Sequence, residues 1–534
     1  MKSAQLVFPP KANPTYAPLG LASLASYLRR EAPGLELAVR DLNLECWYWL
    51  AGQDAQGEVM LRYLRSPDDT FFDQPAYLSQ LAVWGRLAGR MAALAADARR
   101  LAMGEEGGAL GPWLDQQAQS LVLAGPDLVG ISAVFPDQVP FALALARRVR
   151  RWGELSGQPP LVVLGGASTS ALDSEELLRL FPCVDGVMLG EGEAGAAALV
   201  GGEPLEGVPG LAFRRGGSVI RNRRAALKLD QLPDPDFSGL PLARYLNPEP
   251  VLTLVSSRGC SWSRCRFCSH NASFGVHRVM PAAAFVDQME RLLEQHGVRH
   301  FYLTDENMPA PLLRTLSEEI LRRRLGISFH VMARPTADFT SGTLDLAATA
   351  GCIWISWGVE SGSQRLLNLS GKGTEVPVIK RVLGDARQAG ISNLAMMIFG
   401  LPGGDDTDLQ QTLAFIEQIH PSLDAMTGGA FVLFEGTPFA RRAVSLGLEV
   451  TGRGIILSGP EGTLHSRRLS FLERSDDGSL RPPRGPLEVA AWQQRGRWLG
   501  ELPLLNRLCV EHYLLHASRH SQRSLPGIPF PSAA

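Results

Sequence analysis

Three of the seven cysteines in this 534-residue chain, Cys260, Cys265 and Cys268, share one short stretch with the spacing C-x4-C-x2-C. Three thiolates from one loop can bind three irons of a 4Fe-4S cluster, whereas protein cysteines usually occupy all four iron positions. The fourth iron is then open to an outside donor, so the spacing indicates a cluster that binds a second molecule. The alternatives are unrelated free thiols and a structural zinc site completed by His270, but such zinc sites usually pair two ligand groups separated by a longer segment.

The cysteine loop follows the apolar stretch VLTLVSS, and further strand candidates downstream also end in polar or glycine-rich residues. Helical segments separate these strands, so residues 251–440 are predicted to form a full or partial (β/α) barrel. Active sites of such barrels collect at the carboxyl ends of the strands. The strand-end segments are TDEN (Thr304–Asn307), MARP with Arg334, GVES with Gly358 and Glu360, GKG (Gly371–Gly373) and FGLPGG (Phe399–Gly404).

The cysteine loop, with Phe267 just before its third cysteine, and the ordered strand ends resemble the radical SAM superfamily over about residues 251–440. The usual signature of that family is C-x3-C-x2-C, so this chain has one extra residue between its first two cysteines. The resemblance implies that the three cysteines hold a 4Fe-4S cluster that cleaves S-adenosylmethionine (SAM) to a 5′-deoxyadenosyl radical. It also implies a SAM site formed by Phe267, Asp305, Glu306, Asn307, Arg334, Gly358, Glu360, Ser361, Gly400 and Pro402.

Residues 1–230 alternate strand-like and helical segments, which predicts a doubly wound parallel sheet that binds ligands at the carboxyl ends of its strands. A helical insertion at about 46–122 interrupts the alternation, and a proline-rich linker at 231–250 follows. The stretches LGGAS and DGVMLGEGE resemble the cobalamin-binding domain of one large radical SAM branch. The resemblance implies cobalamin contacts from Asn43, Ser132, Gly165, Gly166, Gly190 and Glu191.

Asn43 marks a departure from that domain. Many cobalamin domains supply a lower cobalt ligand from D-x-H-x-x-G, and the corresponding stretch here, DLNLEC, has Asn43 in place of the histidine. The resemblance then implies a cobalt with water or no ligand below it. One alternative is a domain that keeps the fold without the vitamin, with the glycines serving only as turns of the sheet.

The chain as a whole is 45% hydrophobic with a net charge of -2, which argues against a nucleic-acid partner. It contains no apolar run of 18 residues and no signal peptide, so we expect no membrane span and a cytoplasmic location. Residues 441–534 are predicted to form a mainly helical region that closes the substrate site.

The resemblance as a whole implies a cobalamin-dependent methyltransferase that acts on an unactivated carbon, with one SAM methylating the cobalt and a second cleaved to the radical. An external electron donor such as flavodoxin or ferredoxin would reduce the cluster. The alternatives are a non-methylating radical SAM enzyme, such as a cyclase, an oxidase or a rearranging enzyme, and a non-catalytic zinc-binding module. The sequence does not distinguish a small natural product, a peptide or a lipid as the substrate.

Overall fold

A computed structural model describes residues 1–270, 275–475, 477–495 and 509–522 of the chain. The chain divides into two units, each of which contains a segment from the C-terminal region. The first unit consists of Met1–Pro248 and Arg453–Arg467, and the second consists of Glu249–Gly452 and Arg468–Ala534. Within the described ranges, no helix is long and apolar enough to cross a membrane.

The first unit is built on a seven-stranded sheet with the order β2-β1-β3-β4-β5-β6-β7. The first five strands in this order pair in parallel, and β6 and β7 form an antiparallel hairpin at one edge. The chain moves from β1 to opposite sides of that strand, so the doubly wound sheet has its switch point between β1 and β3. The strands are β1 (Ser3–Phe8), β2 (Glu36–Asp41), β3 (Leu128–Ser132), β4 (Leu161–Gly165), β5 (Gly186–Met188), β6 (Leu211–Arg215) and β7 (Ser218–Arg221).

Helices of the first unit connect the strands, and four of them form the insertion between β2 and β3. The connecting helices are Leu19–Glu31, Val139–Ser156, Ser174–Leu180 and Glu193–Val200. The inserted helices are Leu42–Ala51, Gly57–Leu64, Gln74–Ala102 and Leu110–Leu123. The first inserted helix starts directly after β2, because the Asp41 side chain accepts a hydrogen bond from the Leu44 backbone N–H and caps its first turn.

The proline-rich segment before residue 249 is packed on the first unit, although the sequence analysis treated 231–250 as a linker. Phe237 and Leu246 are fully buried, and the Tyr245 hydroxyl donates a hydrogen bond of 2.8 Å to Asp41 Oδ2. The prolines prevent regular secondary structure, but the apolar side chains between them still find buried positions.

The second unit is built on six parallel strands with the order β15-β14-β13-β12-β11-β8, with helices between them. Every residue of the central strand β13 is buried. The strands are β8 (Val251–Leu254), β11 (His300–Leu303), β12 (Ser328–Ala333), β13 (Cys352–Glu360), β14 (Ser392–Phe399) and β15 (Ala425–Ala430), with the short pair β9 (Ser257–Arg258) and β10 (Arg278–Val279). The helices are Ala282–His296, Ala310–Arg323, Ser341–Thr349, Gln364–Ser370, Val376–Gln388, Asp406–Ile419 and Pro438–Arg441.

The C-terminal region begins with strands, which corrects the prediction that residues 441–534 are mainly helical. Strands β16 (Leu433–Phe434), β17 (Leu448–Gly459), β18 (Gly462–Arg474) and β19 (Leu480–Arg481) form a small sheet. Only two of the twelve positions of β17 are buried, and its sequence lacks the alternation of apolar and polar residues that marks a half-buried strand. Helices Gly485–Arg495 and Val510–Gln522 follow, and residues 496–508 and 523–534 of the predicted helical region lie outside the described residues.

Candidate active site

The cysteine loop leaves strand β8 and is held at its base by the short antiparallel pair β9 and β10. Cys260, Cys265 and Cys268 are all half-buried. Ser263 lies between the first two cysteines with φ +48, and its hydroxyl donates a hydrogen bond to the Cys260 carbonyl. A local turn that is closed by the Ser263 side chain therefore accommodates the extra residue of C-x4-C.

The three thiols influence one another electrostatically. Burial raises the pKa of Cys265 to about 11; Cys268 and Cys260 also raise it, and the cation of Lys372 opposes the rise. Among the residues that the structure describes, no three His, Cys, Asp or Glu side chains surround one point closely enough to hold a single metal ion. A 4Fe-4S cluster binds each thiolate at a different iron, so its three cysteine ligands need not converge on one point.

The TDEN segment after β11 contacts the cysteine loop at three places. The buried Asp305 carboxylate accepts hydrogen bonds from the hydroxyls of Ser256 and Ser257, two residues that lie just before the loop. The distance from Ser256 Oγ to Asp305 Oδ1 is 2.7 Å. Burial raises the pKa of Asp305 above its usual range, and these hydrogen bonds oppose the rise.

The two residues after Asp305 reach the middle and the end of the loop. Asn307 Nδ2 donates to Ser261 Oγ at 2.7 Å, and Asn307 Oδ1 accepts from the Arg334 backbone N–H at 2.9 Å. Glu306 Oε1 lies 2.8 Å from His270 Nδ1, so the histidine of the zinc alternative is paired with a carboxylate. The acidic strand end thus braces the loop before, within and after its cysteines.

Arg334, at the end of β12, connects the loop to the GKG turn. Its guanidinium lies 3.8 Å from the centre of the Trp262 ring and donates to the carbonyls of Lys372 at 2.8 Å and Gly373 at 3.3 Å. Trp262 Nε1 donates to the Gly371 carbonyl at 2.8 Å. Arg334 Nε is a buried donor that has no hydrogen-bond partner in the described part of the chain.

A buried ion pair lies beside the cysteine loop. Lys372 Nζ is 2.7 Å from Glu360 Oε1, and their side chains are only 8% and 11% exposed. Burial alone would lower the pKa of Lys372, but Glu360 and Cys265 outweigh it and hold that pKa above its ordinary value. Gly358 leaves room for the pair, because a Cβ at this position would lie 2.5 Å from Lys372 Nζ.

The remaining predicted SAM residues of the second unit pack against other elements. Ser361 is buried, with its hydroxyl 2.9 Å from Thr412 Oγ1. The Gly400 backbone N–H donates to Glu488 Oε2 at 2.7 Å, so the FGLPGG turn, which includes Pro402, contacts the helix Gly485–Arg495. Phe267 packs on an apolar cluster that includes Leu401.

The predicted cobalamin residues of the first unit lie at the ends of neighbouring parallel strands. Ser132 ends β3, Gly165 ends β4 with Gly166 after it, and Gly190 follows β5 and precedes Glu191. Gly166 has φ +94, and a Cβ there would lie 2.4 Å from the Ala133 carbonyl oxygen. The structure therefore forms a row of small residues along the carboxyl edge of the sheet.

Asn43 follows β2, which lies on the other side of β1 from the strands of this row. It is buried in the first turn of the helix after β2, where its Oδ1 accepts a hydrogen bond of 2.8 Å from the Ala12 backbone N–H. Trp47 Nε1, on the same helix, donates a hydrogen bond of 3.0 Å to the Ala12 carbonyl. Asn43 and Trp47 together hold the loop that follows β1.

A family comparison covers the part of the chain that contains the cysteine loop and its strand ends. Residues 254–416 match the sequence model of the Radical SAM superfamily. The chain contains a radical SAM domain. The matched residues begin at the end of β8 and finish within the helix Asp406–Ile419.

Curated relatives of this radical SAM protein include methylating and cyclising enzymes. An uncharacterized methyltransferase of Pyrococcus horikoshii is 27% identical over 304 residues, which are 55% of this chain and 64% of that protein. An anaerobic magnesium-protoporphyrin IX monomethyl ester cyclase of Rubrivivax gelatinosus is 26% identical over 325 residues, 58% of this chain and 57% of that protein. The radical SAM chain thus spans less than two thirds of the length of these relatives.

A solved structure resembles the radical SAM protein over nearly its whole length. The cobalamin-dependent S-adenosylmethionine radical enzyme OxsB, solved with aqua-cobalamin and S-adenosylmethionine bound, covers 98% of this chain with a TM-score of 0.65. The sequence identity is 17%, and 71% of the OxsB chain is covered, so the likeness concerns the fold. It confirms the predicted fold class, a doubly wound parallel-sheet domain followed by a radical SAM barrel.

Two residues of the radical SAM domain were missed by the sequence analysis. Lys372 was noted only as the middle of GKG, and Trp262 was not singled out. Both flanking glycines, Gly371 and Gly373, have positive φ values of +69 and +68. A lysine held between two such glycines is a signal of a tight turn with a directed side chain, although its partner Glu360 is not readable from the sequence.

Proposed function

We propose that this chain is a cobalamin-dependent radical SAM methyltransferase that acts on an unactivated carbon. The observation that carries the proposal is the braced cysteine loop, in which Asp305 and Asn307 hydrogen-bond to serine hydroxyls on the two sides of Cys260 in the sequence. The methyltransferase relative and the fold likeness to a cobalamin-dependent enzyme support the same activity.

The cofactors are proposed from the donor sets of the two units. Cys260, Cys265 and Cys268 would hold a 4Fe-4S cluster, and the row from Ser132 to Glu191 would contact cobalamin. When bound, the cluster with SAM supplies a 5′-deoxyadenosyl radical, and cobalamin supplies the methyl group. Small residues at the strand ends of the first unit suit the close approach of a flat ligand.

The proposed SAM site divides into groups that face a ligand and groups that support them. Arg334 Nε, which is buried and has no hydrogen-bond partner among the described residues, suits a carboxylate such as that of SAM. Asp305, Asn307 and Ser361 have their side chains engaged by protein groups, so we propose that they position the site. Glu306 and Glu360 are paired with His270 and Lys372, so we propose that they position the site as well. Phe267, Gly358, Gly400 and Pro402 remain proposed SAM-contacting residues.

Anaerobic reconstitution with iron, sulfide, cobalamin, SAM and dithionite tests the proposal without a known substrate. We expect about four irons per chain, 5′-deoxyadenosine from SAM cleavage, and S-adenosylhomocysteine up to about one per bound cobalamin. A Lys372→Met variant tests the support of the site, and a Lys380→Met variant, which changes an exposed lysine of the same domain, is the matched control. Four irons per chain without 5′-deoxyadenosine would refute radical SAM activity.

A non-methylating radical enzyme with the same two units is the second candidate, because one of the relatives is a cyclase. This candidate predicts 5′-deoxyadenosine from cobalamin-loaded protein with no S-adenosylhomocysteine. That outcome would overturn the methyltransferase and leave the radical step intact. An external electron donor such as flavodoxin or ferredoxin is proposed for either candidate, and the substrate class stays open.

A further inference from the structure

Arginines without acidic neighbours in sequence surround the three cysteines. Between Glu249 and Asp287 the chain contains Arg258, Arg264, Arg266 and Arg278 and no aspartate or glutamate. The segment 436–447 (GTPFARRAVSLG) adds two further arginines, again with no acidic residue. In a chain whose net charge is -2, this is a local concentration of positive charge.

The fold brings the two segments together. Phe439 N donates to the Arg266 carbonyl at 3.1 Å, so the helix Pro438–Arg441 rests on the backbone of the cysteine loop. Phe267 belongs to the same apolar packing as Phe439. Arg441 and Arg442, at the end of this helix, are exposed, as is Arg264 within the loop. We call Arg264, Arg266, Arg441 and Arg442 the arginine surface.

The arginine surface has no ion pair among the residues that the structure describes. Arg264 lies 4.9 Å from the centre of the Trp262 ring, and Arg266 donates to the Leu369 carbonyl at 2.9 Å. Elsewhere in the second unit, arginines do pair with acids: Arg323, for example, lies 2.9 Å from Glu290 and 2.7 Å from Glu319. The positive charge of the arginine surface is thus left for an outside partner.

The position of the surface restricts what that partner can be. Arg264 and Arg266 lie within the cysteine loop itself, on either side of Cys265 in the sequence. Val444, two residues beyond Arg442, is 89% exposed and provides an apolar contact next to the charges. Protein interfaces often combine an apolar centre with a charged rim that steers association.

We propose that the arginine surface is the docking site of an acidic electron-carrier protein that reduces the cluster. The inference rests on the proposed function, because only a redox cluster in the loop requires such a carrier. One electron leaves the reduced carrier, which is oxidised by one electron, and the cluster gains that electron. A nucleic acid would also be attracted to arginines, but the four charges are confined to the cluster loop and its contact helix.

Charge reversal on the contact helix tests the docking site. The variant Arg441→Glu/Arg442→Glu is compared with Arg62→Glu/Arg99→Glu, which makes the same charge change at exposed arginines in the last turns of two helices of the first unit. The probe is flavodoxin, used in its oxidised form for binding to the reconstituted protein and in its hydroquinone form for reduction of the cluster.

For the contact-helix variant, we expect about 10-fold weaker flavodoxin binding at low salt and a similar slowing of flavodoxin-driven cluster reduction, with dithionite-driven reduction unchanged. The binding difference should vanish near 1 M salt, where the Debye length is about 3 Å. The control variant should bind as the unmodified protein does.

Three outcomes would overturn the docking site: equal loss in both double variants, no loss in the contact-helix variant, or loss of single-stranded RNA binding with flavodoxin binding unchanged. If dithionite reduction also fails in the contact-helix variant, the milder Arg441→Gln/Arg442→Gln variant decides by the same criteria. Failure of the proposed function is distinguishable, because unmodified protein would then yield no 5′-deoxyadenosine with dithionite.

Discussion

Asp41 ends strand β2 of the first unit, and Asp305 follows strand β11 of the second; burial raises the pKa of both carboxyl groups. Asp41 stabilises the fold of its own unit. It caps the next helix by accepting a hydrogen bond from the Leu44 backbone N–H, and it accepts another from the Tyr245 hydroxyl. Asp305 is used to hold the serines that begin the cysteine loop. Two acids in similar places on parallel strands therefore stabilise different structures.

The same contrast extends to the other strand ends of the two units. The first unit places small residues such as Ser132 and Gly165 along the carboxyl edge of its sheet, where we propose that cobalamin binds. The second unit places charged side chains such as Arg334 and Glu360 there, and these bind the loop and the GKG turn. One edge is lined by small residues, and the other is a polar scaffold around three thiols.

Removal of a cluster ligand gives the largest effect on the second unit. Cys265→Ala should abolish the iron–sulfur absorbance and lower SAM cleavage by at least about 100-fold, since even changes outside the ligand set cost 10- to 100-fold. Iron, sulfide and 5′-deoxyadenosine per chain are the measurements. The control is Cys183→Ala at a buried thiol of the first unit, which should keep its iron. Full SAM cleavage by Cys265→Ala would contradict the cluster assignment.

The Glu360–Lys372 pair tests how much the polar scaffold depends on its charges. Lys372→Met leaves a buried carboxylate unpaired and should lower the free energy of unfolding by about 3 to 5 kcal/mol, measured with urea. The double variant Lys372→Met/Glu360→Gln should recover much of that loss because no unpaired charge remains. A double variant no more stable than Lys372→Met would show that the pair is not the cause.

The raised pKa of Asp41 predicts that the stability of the first unit depends on pH. Burial raises its pKa to about 7, against about 4 in an unfolded chain, so the folded form holds a proton that the unfolded form releases between these values. The stability that this proton provides is complete below about pH 4 and is lost as the pH rises through about 7.

Urea unfolding at pH 5 and pH 7 measures this dependence. Between these values the unmodified protein should lose about 2 kcal/mol relative to Asp41→Asn, whose side chain does not titrate and still caps the helix. Asp230→Asn, at an exposed position, should keep the slope of the unmodified protein. Parallel pH profiles for Asp41→Asn and the unmodified protein would refute the assignment to Asp41.

Substitution of Asn43 gives the smallest expected effect. It tests whether Asn43 lies apart from the proposed cobalamin site. Asn43→Ala removes the hydrogen bond to Ala12 and should destabilise the chain by about 1 kcal/mol in urea unfolding. The visible spectrum of added cobalamin should be unchanged, because Asn43 is buried against its own loop. Gly166→Ala is the contrasting variant, since its Cβ would collide with the Ala133 carbonyl. A spectral shift with Asn43→Ala would place this residue at the cobalt.

The cysteine spacing and the order of the strand ends could be predicted from the sequence, because each is a local pattern. The partners of these residues could not. Asp305 meets Ser256 across 49 positions of chain, and Glu360 meets Lys372 only because the intervening helix, Gln364–Ser370, returns the chain to β13. The helix start at Leu42 was also missed, since a capping aspartate at a strand end resembles a turn.

The hairpin of β17 and β18 has a consequence for how the protein is made. Its residues 453–467 belong to the first unit, where Arg453 lies 3.0 Å from Asp173 and His465 lies 3.1 Å from Glu176. A ribosome delivers this segment only after the whole radical SAM domain has been synthesised. The first half of the chain therefore waits, with Asp173 and Glu176 lacking these two partners, until some two hundred later residues have emerged.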